Sequence, residues 1–288
     1  MKILITGSRG FVGRETVKLL EKEGHEVVHY DLMDGYDIRD YEDLRQKVFN
    51  TLPDRILHLA AVARFGEADN NPKLAFETNV IGTQNVARVA SLYKIPVVAA
   101  STGSVYMPIH EEPPITEEFK TAGNSVYGCT KLLGEKYIEE CEGYWIILRY
   151  SHLYGKDKRY HGLIGGFLSR IERALDPILY GGKQSNDFMY IKDIANANLL
   201  ALEAKPDSWR QHYNIGTGEE LTAEEAGAMI IAANNKARGH KKYEGTVEKR
   251  EQRTVDSERF VFDTSKAKNM LGFEAKYDFM QGLKDMFK

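Results

Sequence analysis

Tyr127 and Lys131 stand four residues apart in SVYGCTK, Ser125 to Lys131. On a helix that spacing puts a phenol and an ammonium on one face, about a turn apart. A positive charge beside a phenol favours the phenolate, which is how a tyrosine with an ordinary pKa of about 10 becomes a general base. A surface amphipathic helix carries such a pair equally well, so the reading depends on which elements hold it.

Those elements alternate through the first two thirds of the chain. KILIT, HEVVHYD, DRILHLAA, IPVVAAST and YWIILRYS read as strands. Helical patterns lie between them: the stretch from Val12 to about Gly24, YEDLRQKVF, one long helix NPKLAFETNVIGTQNVARVASLY, and SVYGCTKLLGEKYIEECE. Continuously apolar strands, each followed by a helix, predict a parallel sheet covered on both faces. The fold class is α/β, a doubly wound (Rossmann) parallel sheet, with residues 1–150 as a dinucleotide-binding domain. Residues 151–288 are mainly a smaller substrate-binding part, interleaved with the last strands through DFMYIKD and NIGTG. Active sites of such sheets lie beyond the C-terminal ends of the strands. Thr102 and Ser104 close the strand before the Tyr127 helix and are expected to meet Tyr127 and Lys131 there.

The first strand runs into ITGSRGFVG. Gly7, Gly10 and Gly13 suit a strand-to-helix turn in which backbone amides approach a pyrophosphate, although three glycines alone also describe a flexible loop. Asp31 closes the second strand, eighteen residues after Gly13, where a carboxylate binds both ribose hydroxyls and repels a 2′-phosphate. That favours NAD over NADP, and a positive nicotinamide would add to Lys131 in acidifying Tyr127. Arg9 points the other way, since a guanidinium in this loop suits a 2′-phosphate.

Composition narrows the class. The 288 residues, 42% hydrophobic with a net charge of -3, imply a globular chain without the clustered basic surface of a nucleic-acid or anionic-membrane binder. The basic stretch from Lys236 to Gly245 reads as a solvated loop. No apolar run approaches the roughly 18 residues of a membrane span, and no signal peptide is legible. Cys129 and Cys141 show no metal-ligand spacing, so no metal is expected and a reduced, cytoplasmic setting fits.

TGSRGFVG, Asp31, DIRD from Asp37, HLAAVA from His58, TNVIGTQNV around Asn79, STGSVY, YGCTK, DFMYIKD, NIGTG and DTSKAKNMLGF follow one another in order. In this the chain resembles the extended short-chain dehydrogenase/reductase family, specifically its NAD-dependent nucleotide-sugar epimerases and dehydratases of the UDP-glucose 4-epimerase type. The resemblance implies that Gly7, Gly10 and Gly13, with Arg9, Phe11 and Val12, hold the cofactor's pyrophosphate end. Asp31 would take the adenosine ribose, Asp37 and Ile38 would flank the adenine, and Ala60, Ala61 and Asn79 would line the way to the nicotinamide. Lys131 would bind the nicotinamide ribose, Thr102 the reacting sugar hydroxyl, and Tyr127 would take its proton. Ser104, His152, Arg253 and Asp256 would contact a nucleotide-sugar substrate. A homodimer through the Tyr127 helix and its predecessor is implied, although Leu132, Leu133 and Ile138 could equally face the sheet.

Several positions depart from the family pattern. Dehydratases carry Asp and Glu directly after the threonine; here Gly103 and Ser104 follow, which disfavours 4,6-dehydration. His152 replaces an Asn, Lys156 a Pro and Asn186 an Arg, with Lys183 near enough in sequence to supply a lost charge. The expected function is therefore an NAD-dependent nucleotide-sugar epimerase, acting at C4 through a transient keto sugar. Arg9 and the short Asp31 to Asp37 segment leave open a keto-sugar reductase or sugar dehydrogenase, and a non-catalytic dinucleotide sensor is the third reading.

Overall fold

A computed structural model describes residues 1–63, 65–106, 112–123, 125–157, 162–239, 243–251 and 258–288. Five strands, β1 (Lys2–Thr6), β2 (Glu26–Tyr30), β3 (Arg55–His58), β4 (Val97–Thr102) and β5 (Trp145–Tyr150), form most of the central sheet. Four short strands follow: β6 (His152–Tyr154), β7 (Ile178–Tyr180), β8 (Ser185–Asn186) and β9 (Phe188–Tyr190). Then β10 (Gln211–Ile215) returns to pair with β5. The sheet order is β10-β5-β4-β3-β1-β2, every neighbour parallel. The order reverses between β1 and β3, and their C-terminal ends frame the crevice of the fold.

Both faces of the sheet are covered. On β1, Ile3 and Ile5 point into one core and Leu4 into the other, all fully buried. The first core is closed by α1 (Phe11–Lys22), and the second by α2 (Tyr41–Thr51). After α3 (Phe65–Asn70) and α4 (Pro72–Phe76), the expected single helix is interrupted by a π-helical turn, Glu77–Gly82, before α5 (Thr83–Tyr93) resumes it. The widened turn places Asn79 inward, fully buried, as such turns often do beside functional sites.

The helix carrying the phenol and ammonium is α6 (Val126–Glu139), started by the Ser125 hydroxyl accepting from Gly128 N–H. Ile138 faces the sheet core and Leu132 packs beside Val105 and Phe260; only Leu133 of the three apolar candidates is exposed. Further on come α7 (Leu163–Glu172), α8 (Ile191–Leu202), which packs on the first core, and α9 (Ala223–Arg238). Lys236 and Arg238 thus end a helix, where cations suit its dipole, and the expected solvated loop starts only after it. Among the described residues no helix is long and apolar enough to cross a membrane.

A buried ionic network locks α6 to the sheet. Arg149 on β5 donates from Nε (3.0 Å) and Nη2 (2.7 Å) to the two oxygens of Glu135, and from Nη1 to the Tyr106 hydroxyl at 2.7 Å. Ser101 on β4 also donates to Glu135, and Tyr106 donates to Asn214 on β10. Glu135 and Arg149 are 3% and 4% exposed, so neither charge has water to fall back on. Removing one partner from such a pair costs about 3–5 kcal/mol because the other stays buried and unpaired. Arg149→Met should lower the urea-unfolding free energy by that amount, and adding Glu135→Leu should recover most of it. Equal stability of Arg149→Met and wild type would show that the pair does not hold α6.

Candidate active site

The glycine loop fits a dinucleotide. Gly7 has φ +72°, and a Cβ there would lie 2.7 Å from the Ala60 nitrogen; a Cβ at Gly13 would lie 2.3 Å from the Gly7 carbonyl oxygen. Any side chain at either position would push the loop after β1 off the loop after β3 and off its own helix. Gly10 caps α1 without a side chain, and among the described residues the helix start receives no side-chain cap and the buried Ser8 hydroxyl in the same loop has no hydrogen-bond partner. Unbonded polar groups at a helix N-terminus make a seat for a pyrophosphate. The partly buried Phe11 and Val12 side chains pack against the core that includes Phe279 and Leu283.

Asp31 ends β2 with its carboxylate fixed by two amides: it accepts from Arg9 N–H and from Met33 N–H, each at 2.9 Å. The Arg9 guanidinium turns to Asp34, with Nε at 3.0 Å and Nη2 at 3.3 Å. Farther along, Arg39 grips Asp37 and holds its carboxyl below the ordinary range. Ile38 buries its side chain against Gly82, so what it can offer an adenine is backbone.

At the end of β4, Thr102 and Tyr127 are hydrogen-bonded to each other, and Thr102 also meets Ser104 (3.2 Å). The expected convergence of Thr102, Ser104, Tyr127 and Lys131 at one sheet edge is what the helix and strand build. The electrostatics differ from the expectation. Burial pushes the Tyr127 phenol up to about 12 against the pull of Thr102, and draws the Lys131 ammonium down to about 8 against the pull of Glu135. Desolvation outweighs the Thr102 hydrogen bond, so a working phenolate needs positive charge beside it.

Beneath the site lies a polar chain that the sequence shows only as separate motifs. His58 at the end of β3 bonds Thr6 of β1 (2.7 Å) and Thr83 of α5 (2.9 Å). Thr83 donates to the Asn79 carbonyl, while the Asn79 side chain accepts from Val62 N–H (2.8 Å) and donates to the Val62 carbonyl and to Thr130 of α6. Both Asn79 amide hydrogens are thereby engaged within the protein. Asn79 thus ties Val62, next to Ala60 and Ala61, to Thr130 of α6. The signals were present: Thr6 and His58 are polar residues at the tips of apolar strands, and Glu135 continues the Tyr127 and Lys131 face at i+8.

On the substrate side, the His152 ring stands edge-on to Phe260 at 5.0 Å and 6.1 Å from Phe188. Phe260 also fills the space over Gly103, where a Cβ would lie 2.2 Å from the phenyl ring. A side chain at the position that carries Asp in dehydratases would need Phe260 to move. Arg253 and Asp256, expected at the substrate, lie outside the described residues.

Burial, helped by Lys131, lowers His58 to about 3 from an ordinary 6.5, so the folded protein keeps it neutral. On acidification the unfolded chain takes up this proton first, so stability falls as pH drops from about 6.5 toward 3. Across that window wild type should lose up to about 1.4 kcal/mol per pH unit more than His58→Gln in urea titrations. Parallel curves for the two proteins would show that His58 titrates normally.

The sequence profile of the NAD dependent epimerase/dehydratase family matches residues 3–216. UDP-glucose 4-epimerase of Halalkalibacterium halodurans is 30% identical over 96% of this chain and 91% of that protein. The crystal structure of Thermotoga maritima UDP-glucose 4-epimerase with UDP-glucose aligns with a TM-score of 0.89 at 26% identity, over 100% of this chain and 97% of that one. Thermus thermophilus UDP-glucose 4-epimerase in complex with NAD gives 0.83 at 28%, over 100% and 98%. With the family profile matched over most of its length, the chain belongs to the NAD-dependent epimerase/dehydratase family.

Proposed function

We propose that the protein is an NAD-dependent epimerase of a UDP-activated hexose, acting at C4. The observation that carries the reading is the Thr102–Tyr127 hydrogen bond at the sheet edge, with Lys131 one turn on along α6, beside a Gly103 against which Phe260 packs. The relatives that act on UDP-glucose support the substrate class.

NAD, seated on the Gly7, Gly10 and Gly13 loop with its ribose at Asp31, supplies a reversible hydride acceptor. Thr102 orients the C4 hydroxyl of the sugar toward the Tyr127 oxygen, which takes its proton as the carbinol becomes a ketone. Lys131 holds the nicotinamide ribose and stabilises the phenolate; the positive ring helps overcome the desolvation that raises Tyr127. With no carboxylate at residue 103 to drive elimination, the keto sugar turns, and the same Tyr127 returns the proton to the oxygen as C4 is reduced on its other face. The guanidinium that had favoured a 2′-phosphate, and with it a reductase, is bonded to Asp34. Leu92 on α5 and Leu133 on α6 are 57% and 46% exposed, which supports a homodimer through these two helices. Leu133→Asp should turn dimer into monomer in sedimentation equilibrium, and an unchanged mass would place any interface elsewhere.

Incubation with UDP-, GDP- and dTDP-sugars, followed by NMR of the products and absorbance at the NADH band, tests the activity. A C4 epimer with no net absorbance change is the expected result. Stoichiometric NAD(P)H turnover would make the protein a net oxidoreductase, and silence with every sugar would favour a sensor. Tyr127→Phe should lower the epimerisation rate at least about 100-fold while NAD still binds, the scale of one lost general base; full activity in that variant would remove Tyr127 from the role.

A further inference from the structure

The adenosine end of the loop holds an arrangement that the function above does not require. Arg9 is held twice by acids three residues apart: its backbone N–H by Asp31 and its guanidinium, through Nε at 3.0 Å and Nη2 at 3.3 Å, by Asp34. Asp34 ends the turn Leu32–Asp34, whose start Asp31 caps by accepting Met33 N–H and whose end Gly35 closes with φ +85°. One short turn therefore sets both carboxylates, and their spacing follows from its geometry. Two carboxylates against one guanidinium leave this corner with a net negative charge. A guanidinium left unpaired in a glycine loop is suited to grip a 2′-phosphate; this one already has its fork filled.

We propose that Asp34 is a specificity-determining residue of the cofactor site: by occupying Arg9 it withholds from a 2′-phosphorylated dinucleotide the only cation bonded at this corner among the described residues, so that Asp31 selects NAD. The inference rests on the proposed seating of a dinucleotide with its ribose at Asp31. Asp34 acts through Arg9, so removing its charge releases a phosphate ligand.

Calorimetric titration of the full-length protein, freed of co-purified dinucleotide, with NAD, NADP and 2′,5′-ADP tests this without turnover. Asp34→Asn should shift the NADP to NAD affinity ratio toward NADP by about tenfold and tighten 2′,5′-ADP in parallel, the scale of one new ion pair near a protein surface. The gain should shrink as salt rises. Asp34→Glu, which keeps the charge, should show none of it, and adding Arg9→Ala to Asp34→Asn should abolish it, as a cycle of coupled residues requires. An unchanged ratio in Asp34→Asn while NAD still binds overturns the inference alone, as does a gain that survives Arg9→Ala. Wild type that binds NADP as tightly as NAD also overturns it. Wild type that binds neither dinucleotide overturns the functional reading, and this inference with it.

Discussion

The site depends on how closely the loop after β1 approaches the loop after β3. At Gly7 the backbone takes φ +72° with the Ala60 nitrogen 2.7 Å from where a Cβ would stand, and at Gly13 the helix start lies against the Gly7 carbonyl. This is the point where the strand order reverses, so β1 and β3 send their following segments to opposite faces and leave a crevice between them. Glycine allows the first-turn amides of α1 to line that crevice instead of a side chain.

A crevice alone would not place a proton acceptor. The elements bearing Thr102 and Tyr127 are held by two buried polar systems. One runs from Thr6 through His58 and Thr83 to Asn79, and on to Val62 and Thr130; the other joins Glu135 and Arg149 to Ser101, Tyr106 and Asn214. Buried polar groups are stable only with their partners in place, so each network discriminates strongly against shifted packings of α6. Apolar contacts of the same area would tolerate a displacement of α6 far better.

Burial has a second effect on the chemistry. The dry surroundings that fix α6 also oppose the charged form of each of its two candidate side chains, raising the Tyr127 phenol to about 12 and lowering the Lys131 ammonium to about 8. At the adenosine end the logic is reversed: Asp31, Arg9 and Asp34 meet partly in water, where charges persist and are paired locally.

The order of strands and helices, the glycine loop, Asp31 and the Tyr127, Lys131 spacing were legible in the sequence, because each rests on local rules: period two for strands, 3.6 for helices, glycine where the backbone turns tightly. Continuity of the apolar pattern hid the π-helical turn at Glu77–Gly82, since an extra residue per turn leaves composition unchanged. Tertiary structure decided what each polar residue bonds. It assigned Asn79 to Val62 and Thr130, paired Glu135 with Arg149 across fourteen residues, and turned the Arg9 guanidinium to Asp34. It also filled the space over Gly103 with Phe260, more than 150 residues away in the chain. Such partners lie far apart along the chain or on turns of irregular geometry, and only folding brings a donor within reach of its acceptor. A sequence states which groups are available to bond; the distances that pair them arise from packing.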